Sequence, residues 1–226
     1  MHQEPVQPQL AGHLNHVLYH TMREPLRNLV CVSSLLSEQI KQSNNSTLHD
    51  YTDALSSNAE RLSGIIQGLL DLINLEQAML SEQRHCLKSL VKKAWNTLDQ
   101  TYEPKVNLQF QGTFPQHDVD PHLLSRAFLE ILKNAQQATS SETIDVQVCC
   151  QETDQDIILT FQNSCGGLSP ALINTLTHPF VSINRSREHL GLGLTHVAEI
   201  IKRHQGVLTV ALQKENEFFV EIKLKK

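Results

Sequence analysis

The chain has 226 residues, 40% hydrophobic and 19% charged, with a formal net charge of -5. That supplies apolar material for one or two globular domains and excludes disorder over most of the length, while the acidic balance excludes a protein built to wrap nucleic acid. No apolar run approaches the ~20 residues that span a bilayer, and Met1–Gln9 is polar and proline-bearing, so a soluble, cytoplasmic protein with no membrane segment is expected.

From Gly12 to Ile40 the apolar residues Leu18, Met22, Pro25, Leu29, Val32 and Leu36 alternate at spacings of four and three, which draws one seam along a helix. Ser43-Asn44-Asn45-Ser46 reads as a polar turn. A second seam follows through Leu55, Ala59, Leu62, Ile66, Leu69 and Ile73. Two helices with one seam each bury too little alone, so a homodimer whose hairpins form a four-helix bundle is expected. The polar stretch Ser81–His85 is the expected hinge. Beyond it, Leu87–Thr101, Pro121–Thr139 and Leu192–His204 read as helices. Lys105–Gln111, Thr143–Gln151, Asp156–Asn163, Val207–Leu212 and Glu217–Lys223 read as strands. The fold class is therefore α+β: a helical hairpin over residues 1–80, then an α/β layered domain over 86–226. Cys31, Cys86, Cys149, Cys150 and Cys165 show no paired metal spacing, and their odd count suits reduced thiols.

With Leu18 as origin, His20 lies about 200° around the first helix, away from the buried seam and towards solvent. A neutral imidazole nitrogen is a competent nucleophile near neutral pH. Arg23 and Glu24 follow one turn along the same face, and Pro25 breaks the helical rule beside them, with a kink expected. His13 and His16 share that face, but no cysteine or carboxylate completes a metal set with them.

The run His20-Thr21-Met22-Arg23-Glu24-Pro25-Leu26 resembles the phosphoacceptor box of two-component histidine kinases, and Arg61–Leu72 resembles their second bundle helix. Phe128–Ala138, with Glu130, Lys133 and Asn134, resembles the asparagine box of the gyrase-type ATP-binding fold. Asn163-Ser164-Cys165-Gly166-Gly167-Leu168 is similar to the first glycine box, Pro179-Phe180 to the phenylalanine box, and His189-Leu190-Gly191-Leu192-Gly193-Leu194 to the second glycine box. The boxes stand in the family's order. The resemblance implies ATP and Mg²⁺ as cofactors, with Asn134 as metal ligand and Glu130 orienting water or cation. It places Lys133, Asn163, Gly167, Gly191, Leu192 and Gly193 at the nucleotide, and Val181–Leu190 as a lid. Independently, glycines let backbone N–H groups approach an anion and a helix N-terminus favours it.

The resemblance further implies autophosphorylation on His20, then transfer to an aspartate of a response-regulator receiver domain docked near Leu26–Val30. The chain departs from the family at Thr21, where an acidic residue usually takes the histidine proton, and at Asn163, where an aspartate usually receives the adenine amino group. It also departs at Cys165 and His189, which replace glycines. Losing a charge-assisted hydrogen bond at Asn163 costs on the order of 1.5–3 kcal/mol. A relay can survive such losses where a kinase cannot, so a dimeric histidine phosphotransferase with a vestigial nucleotide domain, or a non-catalytic regulator docking on a kinase or response regulator, are the alternatives. Glu24 stands where the family's phosphatases carry threonine or asparagine, so little phosphatase activity is expected.

Overall fold

The computed structural model describes residues 23–40, 46–98, 104–138, 141–165, 173, 175–178, 181, 191–213 and 217–226. They fall into two units that divide between Gln77 and Ala78. The first contains two helices, α1 (Arg23–Ile40) and α2 (Ser46–Gln77), which pack on one another. Pro25 lies within α1. Residues 43–45 of the expected turn lie outside the described residues, and Ser46 already opens α2.

The hairpin interior is built from Leu26, Ile66 and Leu70, with Ala59, Ser33 and Thr52 also buried. Small polar residues fit because their hydroxyls bond back to their own helix: Ser33 Oγ donates to the Val30 carbonyl at 3.0 Å, and Thr52 Oγ1 to the His49 carbonyl at 2.9 Å. The expected seams are therefore only partly internal. Ala59 and Ile66 face inward, whereas Leu29, Val32, Leu36, Leu55 and Leu62 are exposed on the single chain. Leu26, expected on a docking surface, is instead buried in the hairpin, because it clusters with Ile66 and Leu70 of α2.

The second unit runs β1 (Gln83–Cys86), α3 (Leu87–Thr97), β2 (Lys105–Gly112), β3 (Gln116–Val119), α4 (Pro121–Gln137), β4 (Thr143–Glu152), β5 (Asp156–Ser164), α5 (Gly193–Arg203), β6 (Val207–Gln213) and β7 (Glu217–Lys225). Five strands form one mixed sheet in the order β2-β4-β5-β7-β6, parallel at β2–β4 and antiparallel elsewhere. The parallel pair requires a crossover, which α4 supplies. Strands β1 and β3 form a separate antiparallel ribbon. The expected hinge Ser81–His85 thus becomes, from Gln83 onward, a paired strand.

Period-two burial picks out the covered face of the large sheet. Ile144, Val146 and Val148 of β4, Ile157, Leu159 and Phe161 of β5, and Val220, Ile222 and Leu224 of β7 are all buried, as expected for a sheet covered on one side. The helices answer with apolar stripes: Leu87, Leu90 and Val91 on α3, Leu124, Phe128, Ile131 and Leu132 on α4, and Val197, Ile200 and Ile201 on α5. Phe128 meets Phe161 with ring centroids 5.4 Å apart. Each fully buried side chain of this size contributes about 1.5–3 kcal/mol. Helix α4 packs between α3 and α5, so its remaining face decides what α5 can meet. No helix among the described residues is long and apolar enough to cross a membrane.

Two expected helix ends are shorter in the structure. The segment Leu87–Thr101 closes at Thr97, where Leu98 turns extended, and Pro121–Thr139 closes at Gln137. Helix α4 begins where Asp120 caps it, its carboxylate accepting from the His122 and Leu123 N–H groups at 3.0 Å each, with Pro121 at the first position. All five cysteines are free thiols.

Candidate nucleotide site

The site grows from α4 and the start of α5. Glu130 and Asn134 lie one turn apart on α4 and share a face. Facing them is Gly193, the first residue of α5: a Cβ built there would lie 3.0 Å from Glu130 Oε2, 3.6 Å from Asn134 Nδ2 and 3.9 Å from Asn134 Oδ1. Residues 59 or more positions apart in sequence are brought together only because Gly193 has no side chain. Two positions earlier, Gly191 has φ +68°, a left-handed conformation that glycine adopts without steric cost.

Leu192, the N-cap of α5, is buried and offers no side-chain cap. The first turn of α5 therefore presents backbone N–H groups and the positive end of a helix dipole beside Glu130 and Asn134. Lys133 Nζ lies 3.1 Å from Glu130 Oε1, so the lysine steadies the carboxylate while the other oxygen faces Gly193. Asn134 Nδ2 is buried without a hydrogen-bond partner among the described residues.

An uncommitted buried amide beside a side-chain-free helix start fits a phosphate-bearing ligand with its cation. Among the described residues no cluster of three or more His, Cys, Asp or Glu could hold a metal by itself. Magnesium needs no such cluster, since it usually keeps waters and substrate phosphates and takes only one or two protein ligands.

Asn163 stands near the end of β5, in register with Val146 on one side and Phe218 on the other, and is buried. Its Nδ2 donates to the Ser164 carbonyl at 2.8 Å, which leaves its Oδ1 as an acceptor. Cys165 next to it is also buried, and burial pushes its thiol pKa up, so it stays neutral.

His20 and Gly167 lie outside the described residues, as do Pro179-Phe180, His189 and the lid beyond Val181. Arg23 and Glu24 open α1. Sequence reading missed Asp120, although Asp-Pro at a helix start is a capping signature. It also missed His204, whose partner lies 84 residues away and for which no local signal exists.

A mixed sheet covered by helices, with a glycine-led helix start set against an asparagine-bearing helix, defines an ATPase-type fold joined to a helical hairpin. Residues 119–226 match the family described as histidine kinase-, DNA gyrase B-, and HSP90-like ATPase. The chain is 24% identical over 206 residues to the sensor histidine kinase ZraS of Escherichia coli K12, and 29% identical over 214 residues to the sensor histidine kinase CusS of Escherichia coli O6:H1. Each match covers 90% of this chain and 43% of the relative, so the chain spans less than half their length. Among solved structures, full-length ShkA in complex with AMPPNP aligns with a TM-score of 0.65 at 19% identity, over 98% of this chain and 47% of that one. The Acinetobacter baumannii histidine kinase AdeS aligns at 0.62 and 18% identity, over 89% and 96% respectively. Residues 119–226 thus carry a histidine kinase-, DNA gyrase B-, and HSP90-like ATPase domain, and over most of its length the chain is similar to the catalytic cores of sensor histidine kinases.

Proposed function

We propose that this chain is the working core of a protein-histidine kinase that phosphorylates its own His20 with ATP and passes the phosphoryl group to an aspartate of a response-regulator receiver domain. The observation that carries the reading is the approach of Gly193 to Glu130 and Asn134. In this reading the backbone of Gly191, Leu192 and Gly193 receives the phosphates, together with Gly167. The Asn134 amide oxygen is the ligand for Mg²⁺, and Glu130, steadied by Lys133, orients water around it. The Asn163 oxygen accepts from the adenine amino group. ATP with Mg²⁺ supplies the phosphoryl group and neutralises charge on it as it leaves.

A neutral nitrogen of His20 is the nucleophile. Thr21 cannot take the imidazole proton, and Glu24, one helical turn on, is the nearest carboxylate in sequence with the spacing to do so. Arg23 lies between them in sequence and offers a guanidinium to the transferred group. Glu24 at this place also argues for little phosphatase activity.

Residues 1–80 form the dimerisation and phosphotransfer hairpin in this reading, and residues 86–226 the nucleotide domain. The outward row Leu29, Val32, Leu35, Leu36, Leu55 and Leu62 supports a second copy, because apolar side chains repeated along a hairpin gain most from a partner hairpin. The receiver domain then meets Arg27–Val30 rather than Leu26. The alternative of a phosphotransferase with a vestigial domain is favoured by Asn163, Cys165 and His189, the departures in the glycine boxes.

The test is calorimetry with Mg²⁺–ATP, then incubation with γ-labelled ATP for the wild type and His20→Ala. Micromolar binding with acid-labile, His20-dependent label is the expected result. Absence of binding up to millimolar nucleotide would overturn the kinase reading and leave the relay, tested with a phosphorylated receiver domain as donor.

A further inference from the structure

Five residues, 78–82, separate the end of α2 at Gln77 from the start of β1 at Gln83. They form neither helix nor strand, but they are tied down within the second unit. The Arg203 guanidinium donates to the Ala78 carbonyl. The Ser81 N–H donates to Asp120 Oδ2 at 3.0 Å. Asp120 uses its other oxygen to cap α4, and its own N–H donates to His204 Nε2 at 3.0 Å. His204 Nδ1 lies 2.8 Å from the Ile200 carbonyl and so carries the ring proton, which fixes Nε2 as the acceptor.

Every anchor of this segment sits on the helices that build the nucleotide site. Arg203 and His204 close α5, whose first residue is Gly193. Asp120 opens α4, which carries Glu130 and Asn134. Each helix thus presents one end to the proposed phosphates and the other to the segment leading back to the hairpin.

We propose that Asp120, Arg203 and His204 form a clamp that shortens the tether between the phosphoacceptor hairpin and the nucleotide domain, which makes them positioning residues for transfer to His20. This rests on the kinase reading above. Freed from the clamp, residues 78–82 could span at most about 17 Å, at about 3.3–3.6 Å per residue. A longer tether dilutes the nucleotide domain around His20 and loosens the approach on which phosphoryl transfer depends.

The experiment uses the full chain and two readouts: amide hydrogen exchange over residues 78–82, and single-turnover autophosphorylation at saturating Mg²⁺–ATP alongside ATP affinity. In Arg203→Ala the exchange of this segment is expected to speed at least tenfold and the transfer rate to fall at least threefold, with ATP affinity within twofold of wild type. Arg203→Lys, which keeps a donor, is expected to recover most of both. Five Gly/Ser residues inserted after Gln77 leave the clamp intact and are expected to lower the rate alone. Unchanged exchange in Arg203→Ala overturns the clamp. Unchanged transfer in both Arg203→Ala and the insertion overturns its positioning role, and so does a rate loss matched by an equal loss of ATP affinity. A wild type that takes no label sinks the kinase reading and the positioning role with it, while the exchange readout still decides whether the clamp exists.

Discussion

A methyl group added at Gly193 would press on Glu130 Oε2 at 3.0 Å, a contact tight enough that the carboxylate must give way. The same methyl improves helix propensity by about 1 kcal/mol, so stability and binding are expected to part company. Gly193→Ala should leave the melting temperature equal or higher while weakening Mg²⁺–ATP binding at least tenfold by calorimetry. Asn163 gives the opposite lesson. Replacing it with the family's aspartate removes the donor to the Ser164 carbonyl and sets a buried charge beside that oxygen. Asn163→Asp is thus expected to cost about 1–3 kcal/mol in urea unfolding of the nucleotide-free protein. A tighter adenine contact in that variant has to overcome this cost.

Asp120 adds a pH dependence. Burial pushes its pKa up, but the N–H groups of Leu123, Ser81 and His122, with a smaller electrostatic contribution from His204, outweigh that and bring it below the ordinary 3.8. A carboxylate lowered in the folded state contributes stability that is fully present above its unfolded pKa and is lost as pH falls through the folded one. Wild type should therefore lose more melting temperature between pH 5 and roughly pH 3 than Asp120→Asn, which still caps the helix but does not titrate.

At the scale of elements, the three central strands of the main sheet, β4, β5 and β7, were legible because one buried face imposes alternation, as in Ile157, Leu159 and Phe161. Strand β1 was not legible. Gln83-Arg84-His85-Cys86 has no apolar alternation, and it becomes a strand only because residues 116–119 pair with it from beyond α3 and β2. The asparagine-box helix was readable from its stripe and its start, yet the partner of its polar face was not, since Gly193 arrives from 59 residues later. In the hairpin, the four-and-three spacing identified two helices, but of the expected seams only Ala59 and Ile66 are buried on the single chain, while Leu70 was not singled out. Leu70, 1% exposed, lies in the hairpin interior, so Leu70→Ala is expected to cost about 2–5 kcal/mol. Chemical denaturation followed by circular dichroism checks it.

At the scale of the molecule, the exposed leucines and valine of the hairpin are the surface on which the proposed dimer rests. Replacing Leu29 and Val32 by glutamate removes apolar surface without touching the Leu26–Ile66–Leu70 interior. The expected outcome is conversion of a dimer into a folded monomer by analytical ultracentrifugation, with the nucleotide domain's melting unaffected. A wild type that is monomeric at tens of micromolar would remove the bundle from the proposal. The sequence by itself determined the order of the parts: two amphipathic helices, then a sheet with covering helices, with histidine, asparagine and glycine motifs in between. Those follow from periodicity and residue type, which are local properties. Only the tertiary structure decided that Leu26 turns inward, that Gly193 meets Glu130 and Asn134, and that Asp120 and Arg203 bond to the segment after α2. Such pairings join residues tens of positions apart, and their geometry exists only once the helices have packed on the sheet.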